Sequence, residues 1–81
     1  MARVRKVEPG RQDVRVHRSE VDCFHQVAVA SDQTRYLHLS TYAPDAGRDA
    51  SKAGPSLQLD ENAARQLMAV IRKTFPDIDQ V

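Results

Sequence analysis

The sequence predicts an α+β domain in which four short strands precede one helix. Three observations carry that expectation. Residues 23–30 and 35–42 are two β-prone runs joined by Ser31-Asp32-Gln33-Thr34, whose Ser and Asp side chains favour turns. A second alternating run, Ser56-Leu57-Gln58-Leu59, leads directly into Asp60-Glu61. Beyond it Ala64, Leu67, Met68, Ile71 and Phe75 recur at spacings of three and four, which places them on one stripe of a helix.

The elements follow in chain order. Residues 1–12 have no hydrophobic period and contain Pro9-Gly10, so they are expected to be a flexible basic arm. Residues 13–76 form the domain and 77–81 a C-terminal tail. Val14 and Val16 alternate with Arg15 and His17, which predicts a short first strand. The runs at 23–30 and 35–42 then form a hairpin. In the second of them Leu37, Leu39 and Thr41 share one face while Tyr36, His38, Ser40 and Tyr42 share the other. Residues 43–54 read as a long polar loop, and 56–59 as the fourth strand.

Asp60 stands at the helix N-cap and Glu61 in the first turn, where negative charge suits the helix dipole. Arg72 and Lys73 occupy the last turn and Pro76 stops the helix, which therefore spans Glu61 to Thr74. Fully covered, its stripe would contribute about 6–10 kcal/mol of apolar transfer energy. Val70 lies off that stripe and offers a second surface.

Size and composition bound the function classes. Eighty-one residues make one domain, and a chain this short buries only about 60–65% of its unfolded surface. With 41% apolar and 28% charged residues, the composition is globular rather than collagenous or disordered. Apolar runs such as residues 27–30 are far short of the roughly 20 residues of a membrane span. The N-terminus has no apolar core behind a cationic start, and Cys23 is the single cysteine. A reducing, cytoplasmic location without membrane association is therefore expected. Without disulfides or a zinc ligand set, a domain of this size is expected to gain stability by oligomerising.

Charge is uneven. Residues 1–18 hold six basic and two acidic side chains, a net +4, while residues 19–81 hold six basic and nine acidic, a net −3. A basic arm thus precedes a mildly acidic body, an arrangement that attracts polyanions.

The side chains suggest three kinds of chemistry. Asp22, Cys23 and His25 lie close together, with His17 and His38 as further donors, but the spacing lacks the paired ligands of a zinc site. No metal and no cofactor are expected. Cys23 beside a histidine, or Ser40 near His38, lacks a nucleophile turn and a glycine-rich oxyanion loop, and Asp45, Asp49, Asp60 and Glu61 are explained by turn and cap roles. The chain is not expected to be an enzyme. The face Tyr36, His38, Ser40, Tyr42 is the strongest candidate. It offers two aromatic rings, an imidazole and a hydroxyl, with Arg35 at its start. Bases stack on such rings for about 1–3 kcal/mol each while cations follow the phosphates. Ser56 and Gln58 join this face if the strands pair in register, and Arg48 and Lys52 lie in the loop beside it.

The run Tyr36-Leu37-His38-Leu39-Ser40-Thr41-Tyr42, a polar loop, and then Lys52-Ala53-Gly54-Pro55-Ser56-Leu57-Gln58-Leu59-Asp60-Glu61 before a helix resembles the positive cofactor four family of single-stranded-DNA-binding transcriptional coactivators. Gly54-Pro55-Ser56-Leu57 stands where that family has its Gly-x-Ser-Leu-type strand. The resemblance covers about residues 24–71. It implies a strongly curved four-stranded antiparallel sheet with one C-terminal helix, paired into a symmetric dimer. It places the helices at the dimer interface, here Leu67, Val70 and Ile71. Single-stranded DNA or RNA would be held by Arg35, Tyr36, His38, Tyr42, Arg48 and Lys52. The hairpin departs from the family by carrying one positive charge, and Asp45 and Asp49 offset Arg48 and Lys52 in the loop. The alternative reading is a small dimeric protein–protein interaction module whose basic arm meets an acidic partner.

Overall fold

The hairpin and the helix form where the local signals put them. In the computed structural model, which describes residues 1–44 and 53–80, the strands are β1 (Ala2–Val4), β2 (Asp22–Val29), β3 (Arg35–Tyr42) and β4 (Ala53–Leu59), followed by α1 (Glu61–Thr74). β2 and β3 pair antiparallel from Asp22↔Tyr42 to Val29↔Arg35. Their connection closes through Ala30, whose N–H donates to the Thr34 carbonyl and whose carbonyl accepts from the Gln33 N–H, both at 2.9 Å. Gln33 takes φ of 72°, the left-handed conformation that lets a three-residue turn rejoin a twisted ladder. The Asp32 carboxylate accepts from the Thr34 N–H at 3.0 Å and locks the turn.

β4 lies against the other edge of β3, antiparallel, with Leu37↔Leu59, Leu39↔Leu57 and Ser40↔Ser56. The register slips between Ser40 and Tyr42. That irregularity accommodates Pro55, which has no N–H to give to a ladder. Its carbonyl accepts from the Thr41 hydroxyl at 2.9 Å. Gly54 is needed beside it, because a Cβ there would stand 2.8 Å from Thr41 Oγ1.

Two expectations for the N-terminal third are corrected. Residues 2–4, read from periodicity as part of a flexible arm, form β1 and pair with β4 at Ala2↔Leu57, Arg3↔Gln58 and Val4↔Leu59. This pairing is parallel, so the sheet is mixed and not antiparallel throughout; its order is β1-β4-β3-β2. Residues 5–52, which include the β2–β3 hairpin, intervene between β1 and its partner β4, and supply the long connection that parallel neighbours require. The strand expected at Val14 and Val16 does not form, and both side chains stand in solvent. Two alternating pairs without a ladder partner carry too little to hold extended backbone. Instead the chain leaving β1 touches the helix, the Val7 N–H donating to Gln66 Oε1 at 2.8 Å.

The helix starts and stops as its sequence dictates. Asp60 caps it by accepting from the Ala63 N–H at 2.8 Å. Glu61 and Arg65 pair one turn apart on its surface. Its contacts with the sheet are made to β3 and β4.

Alternation divides the sheet. One face carries Val27, Val29, Leu37, Leu39, Leu57, Leu59 and Val4; the other carries Phe24, Gln26, Tyr36, His38, Ser40, Tyr42, Ser56, Gln58 and Arg3. The helix leaves the apolar face open. Among the described residues the buried apolar side chains are Leu59 and Ala63, whereas Val27, Val29 and Leu57 are about half exposed or more. Of the helical positions Leu67, Val70 and Ile71, Val70 is exposed and the other two are half-buried. The accessible surface is 7588 Å². A compact monomer of this mass exposes about 4,900 Å². The 7588 Å² total covers the whole chain, including the exposed stretch 8–21.

Candidate nucleic-acid interface

The polar face is built in rows across three or four strands. Arg3, Gln58, His38 and Gln26 stand side by side on β1, β4, β3 and β2. One pleat along, Ser56, Ser40 and Phe24 form the next row. Tyr36 and Tyr42 bracket these rows at the two ends of β3.

Each group is held by a neighbour. The Gln58 side-chain amide nitrogen and His38 Nδ1 are hydrogen-bonded at 3.1 Å. Arg3 lies over the Tyr36 ring with its guanidinium carbon 5.5 Å from the centroid. Its Nη1–H also donates to the Tyr36 hydroxyl at 3.1 Å. At the far end Phe24 and Tyr42 make a tilted ring pair, centroids 5.0 Å apart at 34°. Ser40 is buried between the flanking strands. Arg3, His38, Ser56 and Gln58 border a shallow hollow of about 280 Å³.

The arrangement offers aromatic surface at both ends, hydrogen-bonding amide, imidazole and hydroxyl groups between them, and one cation. A base can lie on a ring while its edge meets the central row, and a phosphate can meet Arg3. For nucleophilic chemistry it is poorly set, since His38 is engaged by Gln58 rather than by Ser40. Among the described residues no three His, Cys, Asp or Glu side chains converge as a metal site would require.

The predicted residues separate into three groups. Tyr36, His38 and Tyr42 share the polar face, as their alternation required. Arg35 does not join them: it alternates with Tyr36 and projects with Leu37 and Leu39 on the apolar side. Arg48 and Lys52 lie outside the described residues. Two contributors were missed. Phe24 belongs to the face through its register with Ser40, a pairing the hairpin turn already implied. Arg3 arrives through β1, whose three residues leave no periodic trace. No family model, no curated protein and no solved structure matches this chain.

Proposed function

We propose that the chain binds single-stranded nucleic acid on the polar face of its sheet, as a homodimer and without catalysis. The observation that carries this reading is the clamp of Arg3 on Tyr36 at the end of a row of base-sized polar groups, with a second aromatic pair at Tyr42. Cation and ring side by side are what a nucleotide needs, one for the phosphate and one for the base. Capture is electrostatic and stacking fixes the strand, so sequence preference is weak. The basic residues of the exposed stretch after β1 add long-range attraction. The resemblance to the positive cofactor four family points the same way.

The dimer is argued from the surface the chain leaves uncovered. Val27, Val29, Leu37 and Leu57 on the sheet and Met68 and Val70 on α1 are each 38–63% exposed, apolar surface that a second copy would take out of water. The open apolar face and Val70 with Met68 on α1 are the surfaces a second copy would cover.

Fluorescence anisotropy with labelled single-stranded and double-stranded oligonucleotides tests the reading. Single strands are expected to bind better, with log affinity falling against log salt at about 0.7 per phosphate neutralised. Tyr36→Ala and Tyr42→Ala are each expected to cost about 1–3 kcal/mol. Binding that vanishes with salt but ignores both tyrosines would reduce the site to a basic arm. No binding at low salt would leave the sheet face without this role and favour a protein partner.

A further inference from the structure

The residues that end α1 make an ordered apolar projection that the chain itself does not cover. The Phe75 N–H donates to the Ile71 carbonyl at 2.9 Å, and the Ile78 and Gln80 N–H groups donate to the Phe75 and Asp77 carbonyls at 3.0 Å. Arg72 Nε reaches the Asp79 carboxylate at 3.0 Å and ties the segment back to the helix. The turn is therefore held in shape, yet Phe75 and Ile78 remain 59% and 50% exposed. What sets this pair apart from the exposed valines of the stretch 8–21 is that hydrogen bonds and an ion pair hold it in a defined turn.

A groove of about 640 Å³ opens at the other end of the same helix. Val27, Leu37 and Leu59 form its sheet wall, and Asp60, Asn62 and Ala64 its helical rim. The projection cannot fill its own chain's groove. Fourteen helical residues at 1.5 Å each set the two about 21 Å apart.

A two-fold axis removes that separation. When two copies of α1 pair antiparallel, the C-terminal end of each lies beside the N-terminal end of the other, and both exchanges are made at once. We propose that Phe75 and Ile78 of each chain plug the Val27, Leu37 and Leu59 groove of a second copy. The occupant is a second copy because this chain supplies both halves of the contact, both exposed, at the two ends that antiparallel pairing brings together. The inference rests on the dimer of the preceding subsection and deepens it, since that dimer can exist without the plug but the plug cannot exist without the dimer.

Two measurements on the full chain separate these outcomes. Light scattering on the size-excluded protein gives the mass. Cross-linking then uses a Cys23→Ser background, in which Ile78→Cys on one tagged chain is mixed with Val27→Cys on a differently tagged chain and oxidised. Val16→Cys, on a fully exposed position, replaces Val27→Cys as the control. A dimeric mass with a 27–78 cross-link forming at least tenfold faster than the 16–78 control is expected. A dimeric mass with no such preference overturns the plug and leaves the dimer standing. A monomeric mass at tens of micromolar overturns both. Phe75→Ser with Ile78→Ser is expected to raise the dimer dissociation constant at least tenfold with the circular dichroism spectrum retained, and an unchanged constant overturns the plug.

Discussion

Arg3 and Tyr36 illustrate how much one side-chain pair decides at the residue scale. The guanidinium lies over the ring and also donates to its hydroxyl, so the tyrosine is oriented before any ligand arrives. If the pair serves a nucleotide, Arg3→Ala is expected to weaken single-strand binding and to lower the log–log salt slope by about 0.7, the loss of one phosphate contact. Arg3→Lys keeps the charge and loses the planar stack, so it should restore the slope without restoring the affinity. Equal salt slopes for the wild type and Arg3→Ala would remove Arg3 from the interface.

Asp32 is a second residue with a readable consequence. Hydrogen bonds from the Thr34 hydroxyl and backbone N–H hold its carboxyl below the ordinary value of 3.8. A folded value lower than the unfolded one means that the unfolded chain binds the proton more readily. The stabilisation from this group is thus complete above pH 3.8 and is lost as the pH falls through the folded value. Thermal melts of the wild type and Asp32→Ala should differ at neutral pH and converge as the solution is taken below 3.8. A gap that stays constant across that window would show that the turn does not depend on the charged carboxylate.

At the element scale, the signals that succeeded are those confined to a few neighbouring residues. The helix carries its cap, its first-turn acid, its last-turn bases and its proline stop within seventeen residues, and it spans the expected Glu61–Thr74. The hairpin carries two alternating runs about one turn, and β3 is Arg35–Tyr42 as read. β1 failed the same test because Ala2-Arg3-Val4 has no period of its own and finds its partner at Leu57, far along the chain. The site divides along the same line. Tyr36, His38 and Tyr42 were legible from alternation, Arg35 was assigned against that alternation, and Arg3 depended on a pairing no local pattern encodes.

The irregular end of β4 is an element-scale feature that can be tested. A methyl at position 54 meets Thr41 Oγ1, and moving that hydroxyl forfeits its bond to the Pro55 carbonyl. Gly54→Ala is expected to cost about 1 kcal/mol, the net worth of one such bond. In a Thr41→Ala background the clash is gone and the cost of Gly54→Ala should shrink, so a double-mutant cycle by urea unfolding reads the coupling directly. Purely additive effects would place the strain elsewhere.

For the whole molecule, the balance between surface and core governs what stability means. With Leu59 and Ala63 as the buried apolar residues of the described chain, one copy takes little apolar surface out of water to set against the entropy lost on folding. In the proposed dimer, the apolar sheet face, the outer side of α1 and the Phe75–Ile78 turn would form a shared core with the same surfaces of a second copy. If that dimer forms, folding and association are one reaction, and the melting temperature is expected to depend on concentration. A hundredfold increase in protein is worth about 2.7 kcal/mol through RT ln 100. Set against the unfolding entropy of about 2.1 cal/mol/K per residue over both chains, that raises the midpoint by about 8 °C. Calorimetry from 5 to 500 μM, about a hundredfold range, would show this shift as a steady climb. A midpoint that does not move would mean that each chain melts alone, and the sheet face would then have to be covered by something other than a second copy.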